Sequence, residues 1–407
     1  MSAGILELQL AAPVNRETST YAQRGPRVLF VDSLAEVGGL GIALLRILAA
    51  RNESPTVPLY ASLVIGQGDL PERVAALQIP VIRIPAPRFR NLRGTARVIR
   101  SLSGLIRKQQ IDVVFSNGGH ANLFARPAAL LTDRPCVWWV HGWEPRDTLR
   151  EPISIAHQLL SADRLLANSE WTARMLRNDF PSSPPIGVVR PGVDCREFRP
   201  DSVAGRAARR ELGIGDSQRV VGMFGRLQPW KGQHIFLEAA AALGRRLRGT
   251  RFLVVGSALL GMDLAYEAQL RSRVASDGLR DCVLFTGERR DISALMNACD
   301  VVIHASVQPE PWGLVVAEAM SAGRPVIASD AGGPREMIAH GRTGILSPPG
   351  DPCALADALE QLLEDPALSH RLGTAARQHA LASLDARHSA ANLFAELETV
   401  HRHAGRR

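Results

Sequence analysis

Short runs of β-branched and aliphatic residues alternate with longer helical patterns along the chain, and they fall into two sets. The first set is "RVLFVD" from Arg27, "ASLVIG" from Ala61, "DVVFSN" from Asp112, "CVWWVHG" from Cys136 and "RLLANS" from Arg164. The second is "VVGMFGR" from Val220, "RFLVVG" from Arg251, "VLFTG" from Val283, "DVVIHAS" from Asp300 and "PVIASD" from Pro325. Such alternation predicts parallel sheets with helices on both faces, and two sets predict an α/β chain of two doubly wound, Rossmann-like domains. The segment "VVRPGVDCREFRPDSVAGRAARRELGIGDSQRVV" is rich in proline, glycine and charge, which places the boundary near Cys195 to Ser217. The expected organisation is a loose leader over 1–24, domains over 25–195 and 196–384, and a closing helix over 385–407 that can cross back to the first domain.

Open parallel sheets bind ligands beyond the carboxyl ends of their strands. Two of them predict a cleft with two facing ligand edges, so the chemistry belongs in the loops after the strands. The first strand runs into "SLAEVGGLGIALLRILAA", where Gly38, Gly39 and Gly41 open a helix. Glycines let backbone N–H groups approach an anion there, although a tight turn explains them equally well and the dinucleotide spacing GxGxxG is absent. In the second half "FGRLQPWKGQH" sets Arg226 and Lys231 five residues apart at a strand end. A forked guanidinium and a point-charge ammonium suit a pyrophosphate; the plainer alternative is two solvated cations. Farther on, "PEPWGLVVAEAMSAGRPV" puts Glu310 at the mouth of a helix beginning near Trp312 or Gly313, and Glu318 one to two turns inside it. Carboxylates to bind hydroxyls beside cations to bind phosphates describe a site for a sugar nucleotide.

Together, "RPGVDCREF", "FGRLQPWKG" and "EPWGLVVAEAMSAGRPVIASDAGGPREMIAHGRTGILSPPGD" closely resemble the GT-B glycosyltransferases of family 4, whose E-x7-E signature matches the spacing of Glu310 and Glu318. The resemblance implies a GT-B fold and a retaining, nucleotide-sugar-dependent enzyme. It implies that Arg226 and Lys231 hold the donor diphosphate, Glu310 contacts donor-sugar hydroxyls, the backbone around Trp312, Gly313 and Leu314 faces sugar and phosphate, and Glu318 binds the ribose. It further implies that Gly38 and Gly39 approach the diphosphate from the first domain and that His141, in "WWVHGW", lies near the donor sugar's reactive face. The chain departs from the pattern at Pro191, where the family usually has Asn, and at "HASVQPEP", where it commonly has Pro-Ser. His120, His234 and His304 receive no role beyond lining the cleft.

No Asp-x-Asp occurs, so the expectation is metal-independent transfer without a cofactor, with the cations and helix N-termini supplying positive potential. Glu310 as a covalent nucleophile stays open from the residues alone. Basic residues exceed acidic ones by eight, 48 against 40, which favours an anionic partner. Arg83–Gln110 holds eight cations and no acid, with Leu92, Ala96, Ile99, Leu102 or Ser103, and Ile106 near one helical face. It reads equally as a helix for an anionic membrane surface and as a solvated helix packing on the sheet. Nucleic acid is disfavoured, since only Phe89 is aromatic in that stretch. Five scattered cysteines without a CxxC pair suggest a reducing compartment, and the opening run, broken by Glu7 and lacking a basic start, does not read as a signal peptide. The expected location is cytoplasmic, with peripheral contact to the inner face of the membrane as an option. The expected partners are a UDP- or GDP-sugar and a glycan or lipid-linked acceptor, in bacterial polysaccharide or glycolipid assembly. A sugar-nucleotide epimerase, a phosphorylase and a non-catalytic GT-B-like partner subunit are the alternatives.

Overall fold

The computed structural model describes residues 25–33, 38–51, 54–64, 68–87, 91–142, 162–179, 186–243, 249–258 and 263–404. The leader, the front of the first glycine loop at 34–37, and Arg88, Phe89 and Arg90 lie outside these residues. Contacts divide the chain into two units, Met1–Gly192 with Ala386–Arg407, and Val193–Asp385.

The first unit holds β1 (Arg27–Asp32), β2 (Val57–Val64), β3 (Val81–Pro85), β4 (Val113–Asn117), β5 (Cys136–Val140), β6 (Arg164–Ala167) and β7 (Ile186–Val188) in the order β3-β2-β1-β4-β5-β6-β7. The second holds β8 (Arg219–Phe224), β9 (Thr250–Val255), β10 (Val283–Gly287), β11 (Val301–His304), β12 (Val326–Ser329) and β13 (Ile345–Ser347) in the order β10-β9-β8-β11-β12-β13. Every neighbouring pair of named strands is parallel. Both sheets are covered on both faces, which is why their strands read as nearly continuous apolar runs. Along β1, Leu29 and Val31 enter one core while Val28 and Phe30 enter the other, the period of two expected of a strand. Val221 and Met223 are divided from Val220 and Phe224 in the same way along β8.

The closing helix, Ala386–Ala404, sends Leu393, Phe394 and Leu397 into the core around Phe30, with the Phe30 and Phe394 rings edge to face at 6.5 Å. Arg164 and Glu396 fasten it with two parallel hydrogen bonds of 2.9 Å.

The basic stretch differs from its expected form. Val81–Pro85 is a strand, and the helix runs only over Leu92–Lys108, capped by the Asn91 side chain on Gly94 N. Its buried face is Gly94, Val98, Leu102, Ser103 and Ile106, packed on the sheet and on the helix Gly119–Leu130, whereas Leu92 and Ala96 are exposed. The apolar stripe therefore belongs to the core, and solvent meets Arg93, Arg97, Arg100, Arg107 and Lys108. Among the described residues no helix is long and apolar enough to cross a membrane.

Candidate functional site

Strand order reverses direction between β8 and β11, and beyond the carboxyl ends of such a pair an open sheet leaves a crevice. Two loops meet there. After β8 the chain passes exposed Arg226, buries Leu227, and makes a 3-10 turn over Pro229–Lys231. Gly232 ends that turn at φ +79°, pressed so close to the Ala305 carbonyl that a side chain would collide with it. The Val307 N–H donates to the Trp230 carbonyl at 2.8 Å, stitching the β8 loop to the β11 loop.

The β11 loop carries Glu310, whose own backbone is fixed from behind. Gly333 N donates to its carbonyl at 2.7 Å, and Gly332, at φ +67°, lies against that oxygen with no room for a Cβ. Lys231 Nζ and Glu310 Oε2 consequently meet at 2.5 Å, with the ammonium also 4.0 Å from the centre of the Trp230 ring. The side chains are 20% and 12% exposed, so the pair is substantially desolvated. Burial by itself would raise the Glu310 carboxyl; the Lys231 charge, with the His304 hydrogen bond behind it, overrides burial and holds the acid well below the usual carboxylate range. Ser306 Oγ and His304 Nε2 are 3.2 and 3.4 Å from the same Oε2.

Arg226 makes no ion pair with a described residue. Gln233 Nε2 holds its carbonyl at 2.8 Å, which fixes the backbone and leaves the guanidinium exposed. The helix Leu314–Ser321 starts from Gly313 at φ +93°, so the amides of Gly313, Leu314 and Val315 open its first turn, with Trp312 buried beneath. Glu318 lies just over one turn into this helix, on its buried face. Sequence reasoning placed Lys231 and Glu310 in separate loops, and the structure brings them together; it missed Ser306 and gave His304 no specific part.

In the first unit the order reverses between β1 and β4, where Asp32 and Asn117 are register partners. Asn117 Nδ2 donates to the wholly buried Asp32 Oδ2 at 2.7 Å. This turns the amide oxygen toward His141 Nε2, 2.9 Å away, and since a carbonyl only accepts, the ring carries its proton on Nε2. The Trp139 ring lies 4.1 Å from His141 between centroids, and Asn168 Nδ2 donates to the His141 carbonyl at 2.9 Å. Burial pushes the His141 pKa down to about 3, so the imidazole is neutral and offers the Nδ1 lone pair. Gly38 and Gly39 begin the helix Gly39–Ala49 at the end of the β1 loop. Asp32 and Asn117 had no part assigned from sequence, although each closes a strand run where a ligand-edge residue is expected. Among the described residues no group of three or more His, Cys, Asp and Glu side chains is arranged to hold a metal ion.

Comparison with known proteins agrees with this layout. The profile described as "Glycosyl transferases group 1" matches residues 206–379, and that of "Glycosyltransferase Family 4" matches residues 60–197. The D-inositol 3-phosphate glycosyltransferase of Corynebacterium urealyticum is 34% identical over 303 residues, covering 70% of this chain and 70% of that protein. The protein of the same name from Streptomyces avermitilis is 37% identical over 227 residues; the match takes in 54% of this chain and 48%, about half, of that relative's length. The crystal structure of Anabaena HepE in complex with UDP and glucose superposes with a TM-score of 0.81 at 27% identity, covering 91% of this chain and 99% of that one.

Proposed function

Because the chain belongs to the family of group 1 glycosyl transferases, we propose that it moves a sugar from a nucleotide-sugar donor to an acceptor hydroxyl with retention of anomeric configuration. The observation that carries this reading is the Lys231–Glu310 pair at the β8/β11 crevice, which sets a phosphate-binding cation against a hydroxyl-binding carboxylate. HepE, crystallised with UDP and with glucose, supports a uridine donor as the first to try.

In the proposed reaction the bond between the anomeric carbon and the β-phosphate oxygen breaks, and negative charge grows on that phosphate. Lys231, Arg226 and the amides opening the helix Leu314–Ser321 bind the departing diphosphate more tightly than the intact donor, and that difference is the catalysis. The acceptor hydroxyl attacks from the face the phosphate leaves, and its proton passes to the departing phosphate oxygen. Glu310 serves as a hydroxyl ligand, with Lys231, Ser306 and His304 on its Oε2 and Oε1 left for a hydroxyl of the donor sugar. Glu318 binds the ribose, and neutral His141 has an Nδ1 lone pair able to accept a hydroxyl hydrogen bond. A metal is not required, because the cations of the chain supply the positive potential. The exposed cations of the helix Leu92–Lys108 would rest on an anionic membrane surface through charge alone, which favours a lipid-linked acceptor.

Calorimetric titration with UDP and GDP, in the presence of a chelator, tests the reading. One nucleotide is expected to bind the wild type and to bind Lys231→Ala far more weakly. A wild type that binds neither would sink it and favour a non-catalytic partner subunit.

A further inference from the structure

Three donors converge on a single oxygen of Glu310. Lys231 Nζ, Ser306 Oγ and His304 Nε2 stand 2.5, 3.2 and 3.4 Å from Oε2, and Ser306 Oγ is 3.1 Å from His304 Nε2. That exhausts the lone pairs of Oε2, while Oε1 receives no hydrogen bond from a described residue and is the oxygen left for a bound hydroxyl. The His304 ring is buried, and its Nδ1 has no partner. A hydrogen on Nδ1 would be an unmet buried donor, so the hydrogen sits on Nε2, facing Ser306 and Glu310.

Lys231 by itself neutralises the Glu310 charge. A diphosphate changes that, because it competes for the same ammonium and leaves a 12% exposed carboxylate short of its counter-charge. We propose that His304 and Ser306 are positioning residues that keep the Glu310 carboxylate aimed, with Oε1 presented to the donor sugar, while Lys231 is drawn toward the donor's diphosphate. The inference rests on the functional reading above. It concerns a histidine at the point where this chain departs from the Pro-Ser usual in the family it resembles.

The test compares wild type, His304→Leu, His304→Gln and Ser306→Ala by calorimetry with UDP and with UDP-glucose, alongside kcat and KM for transfer; GDP and GDP-mannose replace them if guanine is the base selected. Bare nucleotide should bind His304→Leu somewhat more weakly than wild type, since drawing Lys231 away then leaves Glu310 with fewer donors, and UDP-glucose, which also needs Oε1 in place, should lose more. The ratio of UDP-glucose affinity to UDP affinity should fall about tenfold, the worth of a hydrogen bond to a charged group, and kcat should fall with it. His304→Gln, which can place an amide N–H where Nε2 stood, should recover most of both. Ser306→Ala removes one oxygen and should lower the same ratio several-fold, so it reads the effect even if His304→Leu fails to fold. Wild-type ratios in both His304→Leu and Ser306→Ala, or a His304→Gln no better than His304→Leu, would reduce the ring to packing and overturn the inference. A wild type that binds no nucleoside diphosphate would overturn the functional reading itself, and this inference with it.

Discussion

At the β8/β11 crevice of the second unit an ammonium and a carboxylate meet at 2.5 Å, whereas at the β1/β4 crevice of the first a neutral imidazole is tied through an asparagine to a buried aspartate. The topology is the same at both places: a parallel sheet, a reversal of strand order, loops at the carboxyl ends. The residues at those edges differ: Lys231 and Glu310 stand in loops beyond β8 and β11, whereas Asp32 and Asn117 close β1 and β4. Opposite charges suit a place where charge must be taken up as a leaving group departs, because they respond to each new unit of charge. A neutral ring locked in one tautomer cannot do that; it can hold a hydroxyl in one orientation. One architecture, used twice in a chain, supplies electrostatics at one edge and geometry at the other.

The largest blow to this contrast should come from Lys231→Ala. Transfer should fall about 10²–10³-fold, as when an oxyanion-hole donor is lost. Stability should fall by about 3 kcal/mol, because Glu310 is left as an unpaired, mostly buried carboxylate. Chemical denaturation of Lys231→Ala with and without Glu310→Gln checks the cause, since the second change should restore stability but not transfer. Glu310→Gln by itself should slow transfer by about tenfold or more and yet bind bare nucleoside diphosphate several-fold more tightly, because it frees Lys231. Weaker nucleotide binding in that variant would mean that the two ligands do not compete for the lysine.

A backbone change comes next in size. Gly332→Ala places a Cβ against the Glu310 carbonyl in a left-handed conformation, and should cost about 1–3 kcal/mol in thermal unfolding and displace the carboxylate. At the neutral edge the effect is one of pH. His141 titrates near 6.5 when unfolded and at about 3 when folded, so between those values only the unfolded chain holds the extra proton. The stability that goes with a neutral His141 is thus complete above about pH 6.5 and is lost as pH falls toward 3, by at most about 1.4 kcal/mol per pH unit. Asn117→Asp sets a carboxylate beside the ring and should raise its pKa toward the ordinary range, as read by ring NMR titration; an unmoved value would separate His141 from position 117. The smallest effect belongs to Arg97→Ala with Arg100→Ala, exposed cations whose loss should leave stability within about 0.5 kcal/mol, measured by denaturation.

The long apolar runs made ten strands legible, because strands buried on both faces carry little else. The three that escaped are short or disguised. β7 and β13 have three residues each, and β3 lies in "PVIRIPAP", where prolines on both sides suggest irregular chain. Lys231 and Glu310 could be assigned to strand-end loops from position, but not to each other. They are 79 residues apart, and their contact depends on β8 lying next to β11, a matter of strand order that periodicity does not encode. Asp32 and Asn117, separated by 85 residues, were hidden for the same reason. His304 was overlooked because the last residue of a buried strand looks like core, and the carboxylate that gives it meaning lies six residues on, across a loop whose shape depends on Gly332.

The way the chain enters and leaves the second unit has an evolutionary consequence. Val193 forms a bridge with Asp385, and its N–H donates to the Leu384 carbonyl at 2.8 Å, so the second unit is entered and left at one spot while the closing helix packs back on the first. A segment whose ends lie bonded side by side has the layout of an inserted module, and such layouts tolerate transplantation because no strand must be rethreaded. On the proposed reading, Val193–Asp385 is a portable cartridge for the donor, exchangeable between relatives in a single crossover pair while the scaffold that receives it keeps its own acceptor.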